Sequence, residues 1–510
     1  MTEAVARIRL ATGVGSRLGW LIAGGLVVLV PLAIAFAARS DRLPLLAIAA
    51  GGALALVVSM RWPTIPLYTF AGLIPIEAVL LIGNLGTLSK FAGLLFMVAY
   101  GAQRLGKLTL SAMPAAAWGY IAWALLSLGW AIDADTAWGE LSTLLQLFVI
   151  ALLIADFVAL RPTIVRPLLW VYSLSAALTG LLGILSFVSS SGPFGDRAVG
   201  LDNQDPAQFA VVLLPALVFS FFEIINGRWL IVSVPVALVT TGGVVVSGTR
   251  GVWLAVAIVV LLFILPKVDP VRRITAIVLT AILLLATLQL PGVGDMVAQR
   301  TETALSSGGA GRTDIWSVAL NIYKEQPVLG VGYANFPVAY TADIVRESDV
   351  GTYSVNNPQG RGSHSMLVAT MTELGPVGLL LLFSFIGPLV LRRGWGPDAL
   401  VIQACLASLL TSAMFLDILA NRKQVWLIIG IAAGLAYLAR VRSRKQVTPP
   451  TSGIPIPASA AVSGGVPVTP GGPVPAGPVP SPSLVPGGLR TRPATSSFWA
   501  DPRPESGSSA

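Results

Sequence analysis

The chain is poor in charge. Only 11% of its 510 residues are Asp, Glu, Lys or Arg, against about 25% in a soluble domain. That shortfall excludes a water-facing surface along most of the chain. There is one cysteine, Cys405, set in an apolar run. It excludes an internal disulfide and a thiolate-rich metal site. There is one histidine, His364, so a multi-histidine metal centre is excluded as well. The apolar runs do not alternate with polar residues, which excludes a membrane β-barrel.

What the chain does have is hydrophobic sequence, 55% of the total. Apolar runs recur along the first 440 positions, each roughly 17–25 residues, the length that crosses ~30 Å of hydrocarbon. Backbone groups in lipid must bond within their own segment, so these runs are helices. The expected fold is an all-α polytopic membrane protein with about 12–14 transmembrane helices. Candidate spans cover residues 20–38, 43–60, 64–82, 88–102, 115–132, 141–158, 167–188, 207–225, 229–246, 251–266, 274–291, 365–391, 399–416 and 425–440. The first is long enough to span, and more spans follow it, so it reads as a helix rather than a cleaved signal.

The net charge of +9 sits in short inter-helix loops and at the termini, so it reads as membrane anchoring and predicts no nucleic-acid partner. Arg104, Lys107, Arg161, Arg166, Arg228, Lys267, Arg272, Arg273, Arg392 and Arg393 fall in alternate loops, together with the basic N-terminus and the basic end of the last helix. By the positive-inside rule these lie in the cytoplasm, with both termini. Arg422 and Lys423 are exceptions on the opposite side. The expected organisation is a cytoplasmic N-terminus (1–18), a membrane bundle (19–291), a large extracytoplasmic loop (292–364), C-terminal membrane helices (365–440) and a disordered Pro/Gly/Ser-rich cytoplasmic tail (441–510). Within the loop, residues 313–325 predict an amphipathic helix with Ile315, Trp316, Ala319, Leu320 and Tyr323 on one side.

Several side chains could carry chemistry. His364, where the large loop meets the next helix in "GRGSHSMLVATMTELGPVG", titrates near neutrality and can act as a general base. It can equally be an interfacial capping residue. Glu373 lies nine positions on, about 13 Å deeper along a straight helix, too far for a direct pair. Pro376 between Gly375 and Gly378 predicts a kink there. A carboxylate at that depth marks either a polar cavity or a structural bond to a neighbour. Arg250 in "SGTRGVWLA", Arg197 in "FGDRAVGLDNQDPAQFA", Arg312 in "GGAGRTDIW" and Arg361 fall in outer loops. They could bind a diphosphate bidentately or snorkel to lipid headgroups. The run "PVLGVGYANF" lacks the setting and third glycine of a dinucleotide site.

Taken in order, these motifs resemble the O-antigen ligase and O-antigen polymerase superfamily of bacterial membrane glycosyltransferases. "GRTDIWSVALNIYKEQPVLGVGYANF" is similar to the family's loop motif. "HSMLVATMTELGPVGLLLL" is similar to its closing motif, with His364, Glu373, Gly375 and Gly378 at the matching positions. "TRGVWLA" supplies Arg250 and Leu254, and "RAVGLDNQDPAQFA" contains Arg197. Ser365 departs from the asparagine common after the histidine, and the Pro-rich tail lies outside the pattern. The resemblance implies a bacterial inner-membrane enzyme whose site faces the extracytoplasmic side. It would move a glycan from a polyprenyl-diphosphate carrier to a glycan or lipid acceptor, with no cofactor and no metal. Arg250 and His364 would be catalytic, and Arg197, Arg312, Arg361 and Glu373 would bind substrate or shape the site. Ligation and polymerisation remain open. A lipid-linked-sugar flippase would instead predict inverted repeats around a midplane site.

Overall fold

The computed structural model describes residues 43–77, 87–189, 198, 205–261, 312–351, 361–392, 398–416, 419 and 421–447, with scattered positions between 269 and 302. The expected span at 20–38, most of that at 274–291, Arg197 and the Pro-rich tail beyond residue 447 lie outside the described residues.

The described regular structure is helical. In chain order the principal helices are α1 (Leu43–Arg61), α2 (Thr64–Leu73), α3 (Leu88–Arg104), α4 (Ala115–Leu126), α5 (Ala134–Leu160), α6 (Val165–Val188), α7 (Pro206–Ile225), α8 (Leu230–Val246), α9 (Arg250–Val259), α10 (Arg312–Glu325), α11 (Met366–Leu391), α12 (Ala399–Ala413) and α13 (Lys423–Val447). Five stretches are long and apolar enough to cross a membrane: Ala134–Leu160, Pro162–Val188, Pro206–Ile225, Met366–Leu391 and Lys423–Arg444. The protein is therefore an integral membrane protein. Helix α2 is shorter than the expected 64–82, because Pro75 has no amide with which to continue it.

Small residues set the tightest helix contact. A Cβ on Gly430 of α13 would lie 2.8 Å from the Ala151 carbonyl oxygen, and one on Gly434 would lie 2.6 Å from that of Ala155. This Gly-x-x-x-Gly face lets α13 lie directly on the backbone of α5, an approach typical of membrane helices.

Several loop cations read from sequence prove to be paired at one end of the bundle. The Arg104 guanidinium meets Asp156 at 2.8 Å, and the Tyr100 hydroxyl donates to the same carboxylate at 2.6 Å. Arg166 bridges Asp398 at 2.7 Å and Glu223 at 3.3 Å.

The loop between α9 and α11 carries a small apolar core of its own. Ile315, Val318, Ala319 and Ile322 of α10 pack with Val331, Phe336, Ala339, Tyr340 and Val345. The amphipathic helix is present, but its buried face is shifted from the expected one. Leu320 is 52% exposed, and Val318 and Ile322 are buried in its place. The i, i+3, i+4, i+7 stripe starting at Ile315 runs through 318, 319 and 322 and leaves 320 on the far side.

Candidate functional site

The site begins with a break in α11. Gly375 adopts φ 67°, ψ −170° inside the helix, a conformation essentially confined to glycine. Pro376 follows and has no amide for the Thr372 carbonyl. Three successive carbonyls thereby lose their helical donors, and each receives an outside one. Thr372 accepts from the Val331 amide at 3.0 Å, and Glu373 accepts from the Gly332 amide at 2.9 Å. Leu374 accepts from the Trp123 indole at 2.9 Å. Residues 328–336 thus form a strap seated in the kink.

The strap explains the glycines of "PVLGVGYANF". Gly330 has φ 72°, and a Cβ there would lie 2.5 Å from the Glu373 backbone. The Glu373 carboxylate, buried at 7% exposure, turns back to accept the Ala334 amide at 2.9 Å and the Phe336 amide at 3.2 Å. Fully buried Asn335 ties the same strap to the start of α5. Its side chain accepts from the Asp133 amide at 2.6 Å and donates to the carbonyls of Asp133 at 3.2 Å and Tyr333 at 3.0 Å. The run that fails as a nucleotide motif is a structural fastener.

Above the strap lies a cavity of about 840 Å³. Its lining includes Arg250, Arg312, Arg361, His364 and Glu373, five of the six residues singled out from sequence. The sixth, Arg197, lies outside the described residues. Sequence reading missed Thr136 and Glu140 at the start of α5, Asp205 and Gln208 around the start of α7, and Asn421 and Arg422 ahead of α13. Most of these look like ordinary helix-start residues. Asp205 is in fact an N-cap, accepting the Ala207 amide at 2.7 Å. The breach of the charge pattern at Arg422 and Lys423 was the one available signal. Every loop that contributes a lining residue falls on the side of the membrane that the charge pattern read as outer.

His364 is held in an unusual way. It has φ 50°, in the left-handed region that non-glycine residues rarely occupy, and it lines the cavity. The next residue, Ser365, is the N-cap of α11, its hydroxyl accepting from the Val368 amide. Serine and asparagine serve equally at that position, which accounts for the departure from the family pattern. The Trp316 indole donates to the Ser363 carbonyl at 3.3 Å, joining this corner to α10.

The cavity is strongly cationic. Four guanidinium groups line it, and of its three carboxylates Glu373 and Asp205 are already engaged with backbone amides. Burial, then the neighbouring Arg250 charge, lowers the pKa of Arg312. The Arg312 guanidinium also sits over the Phe415 ring, 5.6 Å from its centroid. Burial, then Arg312, pulls the His364 pKa below its ordinary value of 6.5. Asp205 opposes the shift and Arg361 adds to it. The imidazole is therefore neutral at pH 7 and free to accept a proton. Among the described residues no group of three or more His, Cys, Asp or Glu side chains is placed to hold a metal ion. Chemically, the arrangement can neutralise a polyanion at one wall and remove a proton at another.

Compared with known families, residues 235–383 match the family model described as O-Antigen ligase. The match runs from within α8 to within α11 and contains Arg250, Arg312, Arg361, His364 and Glu373. Thr136, Glu140, Asp205, Asn421 and Arg422 lie outside it. Compared with curated proteins, the chain finds no match.

Proposed function

We propose, from the match of residues 235–383 to the O-antigen ligase family model, that this membrane protein is a glycosyltransferase of that superfamily and transfers a glycan from a polyprenyl diphosphate to an acceptor hydroxyl in cell-envelope polysaccharide synthesis. The observation that carries this reading is the single cavity shared by His364 and the arginines of three separate segments, Arg250, Arg312 and Arg361.

The chemistry follows from those groups. The acceptor oxygen attacks the anomeric carbon, and the bond from that carbon to the diphosphate oxygen breaks. The leaving diphosphate keeps the electron pair. Arg250 and Arg312 hold it, and Arg197, outside the described residues, is assigned the same role from its motif. Fixed guanidinium groups stabilise charge as it develops, and they do so most strongly where water is scarce. His364, neutral at working pH, takes the acceptor's proton. Arg361 binds the glycan or the carrier, and Glu373 keeps the strap, and with it the cavity floor, in place. The carrier is already activated, so no nucleotide is consumed.

In this reading the cavity opens on the extracytoplasmic side of the inner membrane, and both termini lie in the cytoplasm. The convergence of the cation-poor loops on the cavity supports that orientation.

The test uses purified full-length protein in detergent, supplied with lipid-linked glycan and acceptor and no nucleotide. Glycan on a separate acceptor reports ligation, and lengthened glycan on the carrier reports polymerisation. His364→Ala should lower the rate by roughly 10²–10⁴-fold with normal expression. Full activity in that variant refutes the assignment of the base.

A further inference from the structure

Resting on the donor reading above, we infer that Arg422 is a further anion-binding side chain of this cavity, and that the partly buried ion pair between Lys423 and Glu77 aims it there. The two cations are sequence neighbours that face different surroundings. Arg422 lines the cavity with Arg250 and Arg312. Lys423, only 7% exposed, turns toward the segment between α2 and α3. Its ammonium bonds Glu77, the Thr87 hydroxyl at 3.0 Å and the Ser89 hydroxyl at 2.8 Å. Thr87 in turn donates to Glu77 at 3.0 Å.

An ammonium has three N–H donors, and Lys423 has three acceptors around it. It is thus saturated away from the cavity and has no donor left for a diphosphate. It serves instead as an anchor. Lys423 is the first residue of α13, so fixing it fixes the residue before it. The turn is closed further by the Trp426 indole, which donates to the Leu419 carbonyl at 2.8 Å, and by the Val425 amide, which donates to the Arg422 carbonyl at 3.1 Å. Guanidinium is suited to the remaining task because it can meet two oxygens at once. Arg422 would give the diphosphate oxygens a further bidentate partner beside Arg250 and Arg312. The same geometry accounts for both cations that break the charge pattern, one as ligand and one as anchor. Glu77, Arg422 and Lys423 all lie outside the segment matched to the family. Arg422 is a binding residue, and Lys423 and Glu77 are positioning residues.

The experiment measures binding of a polyprenyl diphosphate without glycan to the full-length protein in detergent, alongside KM and kcat for the glycosylated donor. Arg422→Gln should weaken binding of the bare lipid diphosphate tenfold or more and raise the donor KM more than it lowers kcat. Lys423→Met should give the same KM shift. The exchange Glu77→Lys with Lys423→Glu should recover a good part of it, which a general loss of folding would not. Unchanged binding in Arg422→Gln, beside a clear loss in Arg250→Gln, overturns the role of Arg422 and leaves the donor reading standing. Unchanged binding in both removes the donor reading as well. A Lys423→Met protein with lower yield but wild-type KM overturns the anchor.

Discussion

Replacing Gly375 with alanine tests whether the break in α11 is what builds the site. The residue sits at φ 67°, ψ −170°, and forcing alanine there costs about 1–3 kcal/mol in backbone strain. The added Cβ would also overlap the Val328 carbonyl oxygen, and relieving such an overlap costs about 1–3 kcal/mol. The combined loss is roughly 2–6 kcal/mol, a large share of a net stability of about 5–15 kcal/mol. The relaxation available is for the strap to move away. That lengthens the bonds from Val331 and Gly332 to α11 and draws Ala334 from the Glu373 carboxylate. Chemical denaturation in detergent, followed by tryptophan fluorescence, reads the effect, since Trp123 and Trp130 both donate to carbonyls at this junction. Gly387 lies on the same helix, and a Cβ added there would meet nothing within 4 Å, so Gly387→Ala should change stability by no more than about 1 kcal/mol. If Gly375→Ala unfolds within about 1 kcal/mol of the parent and retains transfer, the kink is not holding the strap and the account of the cavity floor is wrong.

Other perturbations address the chemistry directly. The acidic limb of kcat/KM should lie below pH 6.5, because burial and Arg312 hold His364 in its neutral form to lower pH. Arg312→Gln should move that limb upward and Asp205→Asn should move it downward, as a pH–rate profile of each variant would show. Arg250→Lys keeps the charge but loses the planar fork, so donor kcat/KM should fall roughly tenfold to a hundredfold; wild-type kinetics would mean the contact is a simple point charge. Asn335→Ala takes from the buried Asp133 amide its side-chain acceptor and from the Asp133 and Tyr333 carbonyls one donor each, and should cost about 1–3 kcal/mol in the same denaturation assay.

Much of the architecture is legible in the residues because a bilayer imposes a length on every apolar run. The described helices answer to the runs at 43–60, 88–102, 167–188, 207–225 and 229–246 within a few residues. The arginines of the cavity stand out for a related reason, since cations are scarce in the cation-poor loops and each survivor invites a question. Glu373 is visible as a carboxylate in an apolar helix, and Pro376 as the kink beside it. What the residues do not disclose is pairing across the chain. Nothing local says that Val331 and Gly332 will satisfy carbonyls of α11, or that Asn335 will join residues 333 and 133. Glu77 looks like a flaw in a span until Lys423 meets it from the other end of the sequence. Leu320 is misplaced because an apolar residue near a helical stripe can still miss its face by a turn fraction.

The interrupted helix also bears on how the protein is made. A membrane helix normally completes its own backbone bonding, but α11 reaches the bilayer with three carbonyls that only earlier parts of the chain can satisfy. Each would cost several kcal/mol if left bare in hydrocarbon. Their partners, residues 123, 331 and 332, are synthesised first. The nascent chain therefore already carries the template on which its later helix is finished, and insertion of α11 and seating of the strap become a single event.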